Sequence, residues 1–277
     1  FHAAEDPAGE GRAIAAMGNM AAKRGALSSA ERPYVAALAQ HRRGSDPQAE
    51  GAVLSNLAIL TTIADRPAEA RELFRDALAI HRSQGDRRGE AVVLGNLGDL
   101  YLQTEEWDIA RTHLDSALRT AREIGDRHIE GCYLGSLGEV SARAGRLPQA
   151  RSQMARAERL LREVGDTYEL IKLICRRGHV ELLGQYPARA EQCLGTAEAL
   201  LAALSLGPET MPHRAIEELN GGSFWECHET LEDVWRAAPY PLRFFYHAVI
   251  KVAVGFHHLG RHNRHGARVK LADGVRL

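Results

Sequence analysis

The amino-acid sequence predicts an all-α protein: five stacked helix pairs, then a break, then a smaller helical domain. Three observations predict it. Aspartate recurs every forty residues, at Asp6, Asp46, Asp86, Asp126 and Asp166. Alanine recurs on the same register at Ala30, Ala70, Ala110, Ala150 and Ala190, and seven residues later at Ala37, Ala77, Ala117, Ala157 and Ala197. Within the interval, apolar residues fall at helical spacing. A constant period of this length marks units too small to bury an apolar face alone, which stack on their neighbours to do so.

The third repeat, Asp86 to Gly125, shows how each element arises. Val92, Leu94, Leu97, Leu100 and Tyr101 form one helical stripe, and Trp107, Ala110, Leu114, Ala117 and Leu118 form a second. Two antiparallel helices follow. Gly85 is placed to end one helix in a left-handed conformation, and Asp86 to cap the next. In the first two repeats Pro7 and Pro47 follow the aspartate, at the helical position where a missing N–H costs nothing. Small residues recur where paired helices cross, at Gly18, Ala58, Gly98, Gly138 and Gly178, with Tyr34, Phe74, Leu114, Met154 and Leu194 filling the space between.

This small–small–large–small spacing resembles the tetratricopeptide repeat, in a forty-residue form. The resemblance covers residues 1–206 and implies ten helices wound into a right-handed superhelix with a concave inner face. The fifth repeat departs from the pattern, with Arg176 and Arg177 where the others carry apolar or small polar residues.

Glycines and alanines at fixed positions account for packing, so function is expected on the inner face of the first helices. There the third repeat presents Asn96, Asp99 and Gln103 at i, i+3 and i+7, and the fourth presents Ser136, Glu139 and Arg143. Asn56 shares the register of Asn96. In tetratricopeptide proteins with this Leu-x-Asn-Leu arrangement, here Leu54 to Leu57 and Leu94 to Leu97, the asparagines resemble those that hold the backbone of an extended peptide. A carboxamide offers donor and acceptor together, so a row of them can pair with peptide groups without demanding particular side chains. A solvated polar face is the alternative.

Composition sets the bounds. The 277 residues are 45% hydrophobic and carry 35 Lys+Arg against 36 Asp+Glu, and from Glu209 onward the balance is nine to eight. Neither part has the basic excess that phosphate binding requires, so no nucleic-acid partner is expected. No apolar run reaches the eighteen residues needed to cross a bilayer, and no signal peptide opens the chain. Cys132, Cys175, Cys193 and Cys227 lie far apart inside helical patterns, as reduced core thiols do. A cytoplasmic location without membrane partners is the expectation. Phe1 in place of methionine, and a helical pattern running out at Leu277, read as boundaries inside a longer chain.

After Leu206 the register fails. Residues 207–213, with Gly207, Pro208 and Pro212, read as a linker, and residues 214–277 as a second domain. Ser223 and Glu226 have capping-box spacing, which favours helix initiation by about 1 kcal/mol. On that helix Trp225, His228, Glu232 and Trp235 align on one stripe with Glu229 at its shoulder, and the next helix carries His247, Lys251, Val254 and His258. The stretch Gly222 to Trp235, the helix Val249 to His258 and the turn Asn263 to Ala267 resemble the domain of unknown function 309 family. Tyr246, His247 and Lys251 stand where that family carries a Gln-Gly pair and a second glutamine.

His228 and Glu232 at i and i+4, completed by His258 or His247, could ligate a divalent metal. Alternatively they pair with each other or with Lys251 as a satisfied polar cluster. The thermolysin-like motif needs histidine where Glu232 stands, which argues against a peptidase. The chain has no phosphate-binding glycine loop and no nucleophile-elbow serine. The sequence therefore points to an adaptor binding a protein or peptide segment, with no cofactor and no catalysis expected. A metal-binding sensor or metal-dependent hydrolase in the second domain, and the sensor arm of a larger signalling regulator, are the rival readings.

Overall fold

The computed structural model describes residues 6–23, 27–203, 223, 228 and 229. Among these, ten helices follow in order: α1 (Pro7–Lys23), α2 (Leu27–Arg43), α3 (Pro47–Ile63), α4 (Pro67–Ser83), α5 (Arg87–Gln103), α6 (Trp107–Glu123), α7 (Arg127–Arg143), α8 (Leu147–Val164), α9 (Thr167–Leu183) and α10 (Pro187–Ala203).

The aspartates start the first helix of each repeat. Asp6, Asp46, Asp86, Asp126 and Asp166 each accept, through Oδ1, the backbone N–H three residues on, at 2.9–3.1 Å. Each such bond satisfies an amide without an intrahelical partner and contributes about 1 kcal/mol. The second helices start differently. Arg66, Glu106 and Arg146 occupy the cap position of α4, α6 and α8 without a side-chain capping bond.

Helix ends follow a finer rule than the sequence pattern suggests. Ser45, Asp65, Gly85, Glu105, Gly125, Gly145, Gly165 and Gln185 all have left-handed φ, between 50° and 75°, one every twenty residues. The next residue donates its N–H back five positions, as from Asp46 to His41 O at 3.0 Å and from Tyr186 to Glu181 O at 2.8 Å. These bonds close Schellman turns, which satisfy carbonyls left over at a helix end. The forty-residue period is thus two twenty-residue halves ended by one kind of turn. Asp86 serves both sides of it: its amide donates to His81 O and so closes α4, while its carboxylate opens α5.

The chain divides into two compact units, residues 1–140 and 141–277. In the first, α1 pairs with α2, α3 with α4 and α5 with α6. The second helices α2 and α4 lie against the next repeat's first helix, and α1, α3 and α5 are neighbours. The recurrent alanines Ala30, Ala70, Ala77, Ala110 and Ala117 are fully buried, as are Phe74 and Leu114. Their burial is the main force on the stack, about 2–3 kcal/mol for each large side chain removed from water. Small residues are required where helices cross: a Cβ at Gly98 would come within 2.5 Å of Leu114, and one at Gly18 within 2.7 Å of the Tyr34 ring. Ion pairs recur at the repeat junctions, Arg42 to Glu50 at 2.6 Å, Arg82 to Glu90 at 2.8 Å and Arg122 to Glu130 at 2.7 Å.

In the second unit α9 pairs with α10, and α8 lies against α9. Met154, Leu161, Ile174 and Val180 form its core. Arg177, one of the two arginines that break the sequence pattern, donates from Nη1 to Glu158 at 2.5 Å and from Nε to the Cys193 sulfur at 3.3 Å. The departure is thus built into the junction. Arg151 forks onto the buried Glu181 at 2.8 and 2.6 Å and lies 4.5 Å above the Tyr186 ring. The expected linker, residues 207–213, and the expected second domain, residues 214–277, lie outside the described residues apart from Ser223, His228 and Glu229.

Candidate functional site

In the first unit the neighbouring helices α1, α3 and α5 present a row of carboxamides. Helical spacing places Ala52, Asn56, Ile59 and Ile63 on one stripe of α3, and Val92, Asn96, Asp99 and Gln103 on one stripe of α5. None of these eight residues is buried, whereas the intervening Val53, Leu54, Leu57, Val93, Leu94 and Leu97 are. Ile59 is 39% exposed and Ile63 37%, so the face mixes amides with aliphatic surface.

The amides are partly engaged with one another. Asn56 donates from Nδ2 to Asn19 Oδ1 at 3.1 Å, across α1 and α3. The Tyr34 hydroxyl donates to that same Asn19 oxygen at 2.8 Å. On α5, Asn96 Oδ1 accepts from the Tyr133 hydroxyl at 2.9 Å, and the same hydroxyl lies 3.0 Å from the Val92 carbonyl. Among the described residues no further hydrogen bond falls to these three side chains. Hydrogen-bonding capacity therefore remains on each: both N–H groups of Asn19, one N–H and the oxygen of Asn56, and both N–H groups of Asn96.

The structure brings together Asn56, Asn96, Asp99 and Gln103, all half-buried, on adjacent helices of the first unit. Ser136 and Glu139 differ: they are buried, at 1% and 6% exposure. Arg143, in the second unit, is half-buried. Sequence reasoning missed Asn19, because Ala16 holds the Asn56 register in α1 and Asn19 stands one turn further on. It also missed Tyr133, although a signal existed. Tyr133 replaces the valine of Val53 and Val93, and forty residues before Gly135 stands Gly95, whose absent side chain makes its room. A Cβ at Gly95 would lie 2.0 Å from the Tyr133 ring.

Of the expected metal ligands, His228 is half-buried and helical, while Glu232 and His258 lie outside the described residues, as does His247. Among the described residues no group of three His, Cys, Asp or Glu side chains is placed to hold a metal ion. Cys132, Cys175 and Cys193 are not in disulfides, and Cys227 lies outside the described residues. Burial, with Cys193 close by, pushes the Cys175 thiol up to about 11, so it stays protonated at neutral pH and is no nucleophile there. Among the described residues no helix is long and apolar enough to cross a membrane.

Family models match the chain in three places. A tetratricopeptide repeat model matches residues 51–83 and another matches residues 89–163. A third, Domain of unknown function (DUF309), matches residues 213–269. The chain carries tetratricopeptide repeats followed by a DUF309-like segment, and ahead of the matched residues α1 opens with the same aspartate cap and α2 closes with the same turn. Among solved structures, BtubC (BKLC) from P. vanneervenii is 22% identical, over 72% of this chain and 82% of that one, with a TM-score of 0.57. A Rap protein complexed with competence and sporulation factor is 14% identical, over 93% and 72%, with a TM-score of 0.71. The apo form of RapI is 12% identical, over 96% and 97%, with a TM-score of 0.65. At these identities the likeness shows the fold, a tetratricopeptide-type helical array. No curated protein matches the chain. As a tetratricopeptide array the molecule is a protein-interaction scaffold.

Proposed function

We propose that the first unit binds an extended peptide segment of a protein partner along the face of α1, α3 and α5. The observation that carries this reading is the unspent hydrogen-bonding capacity of Asn19, Asn56 and Asn96, set beside the exposed Ile59 and Ile63. An extended strand alternates peptide groups with side chains. The carboxamides can take its N–H and C=O groups, and the isoleucines its apolar side chains. Asp99 and Gln103 continue the face, whereas the buried Ser136 and Glu139 are left out of it. The fold neighbour complexed with competence and sporulation factor is a helical array of the same kind holding a partner.

Retention of the purified chain on an array of short synthetic peptides tests the proposal. Replacing both Asn56 and Asn96 by alanine should lower retention about tenfold or more, as expected for two lost hydrogen-bonding groups, with the far-UV circular dichroism unchanged. Equal retention by the double variant removes these asparagines from any binding role.

A further inference from the structure

We infer that the open side of α1 docks an amphipathic helix of a protein partner, one that carries an apolar stripe and a basic residue in its last turn. The surface is separate from the asparagine face, and the inference does not depend on peptide binding there.

The repeat supplies its own controls. Glu10, Ala13, Ile14, Met17 and Met20 follow one another along α1 at helical spacing and make a single stripe. The same stripe holds Glu50, Val53, Leu54, Leu57 and Leu60 in α3, and Glu90, Val93, Leu94, Leu97 and Leu100 in α5. The apolar residues of those two helices are buried, Leu57 and Leu97 to 5% exposure, Leu60 to 3% and Leu100 to 1%, whereas Met17 is 62% exposed and Met20 53%. Like α3, α1 packs on the second helix of its own repeat and on the first helix of the next. What α3 has in addition is the preceding repeat, chiefly its second helix α2, and α4 covers α5 in the same way. The missing cover accounts for the difference in burial. The stripe on α1 therefore has the shape and spacing that already seat a helix twice in this unit.

Charge says what that helix carries. Glu50 receives Arg42 at 2.6 Å and Glu90 receives Arg82 at 2.8 Å, each arginine coming from the last turn of the covering helix. Glu10 holds the same register and is exposed, and among the described residues no side-chain hydrogen bond or ion pair falls to it. A lysine or arginine in the last turn of the docked helix would reach it. The apolar residues fit a partner too. Methionine stands at both outer positions in α1, where α3, α5 and α7 have Leu57, Leu97 and Leu137, then Leu60, Leu100 and Val140. Unbranched and flexible, it adapts to a surface that is not built into the same core.

The test uses the full chain with 13C-labelled methionine methyl groups. Its four methionines include Met17, Met20 and the fully buried Met154, which serves as control. The probe is a fluorescent synthetic helix with the sequence of residues 67–86, which is α4 with its turn. A cross-link between positions 72 and 76, both exposed in α4, keeps it helical before it binds. The Met17 and Met20 signals should move saturably with the probe while Met154 stays in place. Replacing Met17 and Met20 together by aspartate should weaken binding about tenfold or more by fluorescence anisotropy, with the far-UV circular dichroism unchanged. A probe with Arg82→Glu should bind about two- to fivefold more weakly, and Glu10→Lys in the chain should restore it. Methyl signals that do not move, or equal affinity in the aspartate variant, overturn the docking surface. A charge swap without effect overturns the pairing with Glu10. Met17 and Met20 signals that move when the chain is concentrated without probe place a second copy on this face and overturn the partner assignment.

Discussion

The repeat junctions of the first unit and those of the second hold similar helices together with different polar residues. In the first, an arginine in the last turn of the second helix meets a glutamate eight residues on, three times in register: Arg42 and Glu50, Arg82 and Glu90, Arg122 and Glu130. In the second, Leu170 stands where that glutamate would be, 4% exposed, and Arg162 turns back to Glu158 on its own helix. The ion pair moves elsewhere, to Arg151 with Glu181 and Arg177 with Glu158. The alanines and the large apolar residue between them persist through this change. Apolar packing therefore sets the stack, and the ion pairs are exchangeable fittings on it. In these pairs the arginine is about half-exposed and only the glutamate is mostly buried, so the pair contributes little net stability and an apolar residue such as Leu170 can stand in for the carboxylate.

The largest test of that contrast is to break one fitting in each unit. Glu181 is buried and takes both prongs of Arg151, so Glu181→Ala should lower stability by about 1–3 kcal/mol, read by urea denaturation. Glu90→Leu copies the second unit's own solution and should cost under about 1 kcal/mol, because the leucine removes the mostly buried carboxylate while Arg82 and Arg87, each about half-exposed, stay solvated. Equal losses would mean that the two junctions are not interchangeable designs.

Acid should separate the units next. Burial pushes the Glu90 carboxyl up, but Arg82 and Arg87 outweigh it and hold the group below its ordinary value. Burial acts likewise on Asp86 and is outweighed by the Gly89 amide and His81. Carboxyls depressed in the folded state contribute stability that is present above their unfolded value, about 4, and is lost as pH falls through the folded one. Amide hydrogen exchange should therefore show α4 and α5 loosening below about pH 4, and Glu90→Gln should flatten part of that dependence. The α8–α9 junction, with Leu170 at the corresponding position, should lack this contribution.

The smallest effect lies in the turns that both units share. Glu105 in the first and Gln185 in the second adopt left-handed φ of 64° and 63°, a conformation glycine takes without strain at Gly125 and Gly165. Glu105→Gly and Gln185→Gly should each raise stability by about 0.5–1 kcal/mol, the relief of strain exceeding the entropy glycine adds to the unfolded chain. A thermal melt that moves downward for both would show that the side chains contribute more to these turns than the backbone costs.

Much of the fold was legible because its causes are local. An aspartate capping an amide three residues on, a glycine at a helix end and an alanine recurring on one face act within a single turn or repeat, so the sequence interval displays them. The half-period was less visible, because Ser45, Asp65, Glu105 and Gln185 are not glycines and conceal the left-handed turn that every twenty residues requires. The asparagine register pointed to Asn56 and Asn96, and the same register passed over Asn19.

By itself, then, the sequence determined the class of fold, the place of each first-helix start and the residues that must be small, since all of these follow from backbone hydrogen bonding and helical spacing. Tertiary structure alone decided that Asn19 meets Asn56, that Tyr133 fits the gap at Gly95 and meets Asn96, that Ser136 and Glu139 are buried, and that Arg151 finds Glu181. Those partners lie about thirty to forty residues apart in the chain. Whether their atoms meet depends on how far one helix shifts and turns against the next, a quantity set by the combined packing of whole faces and written in no single interval.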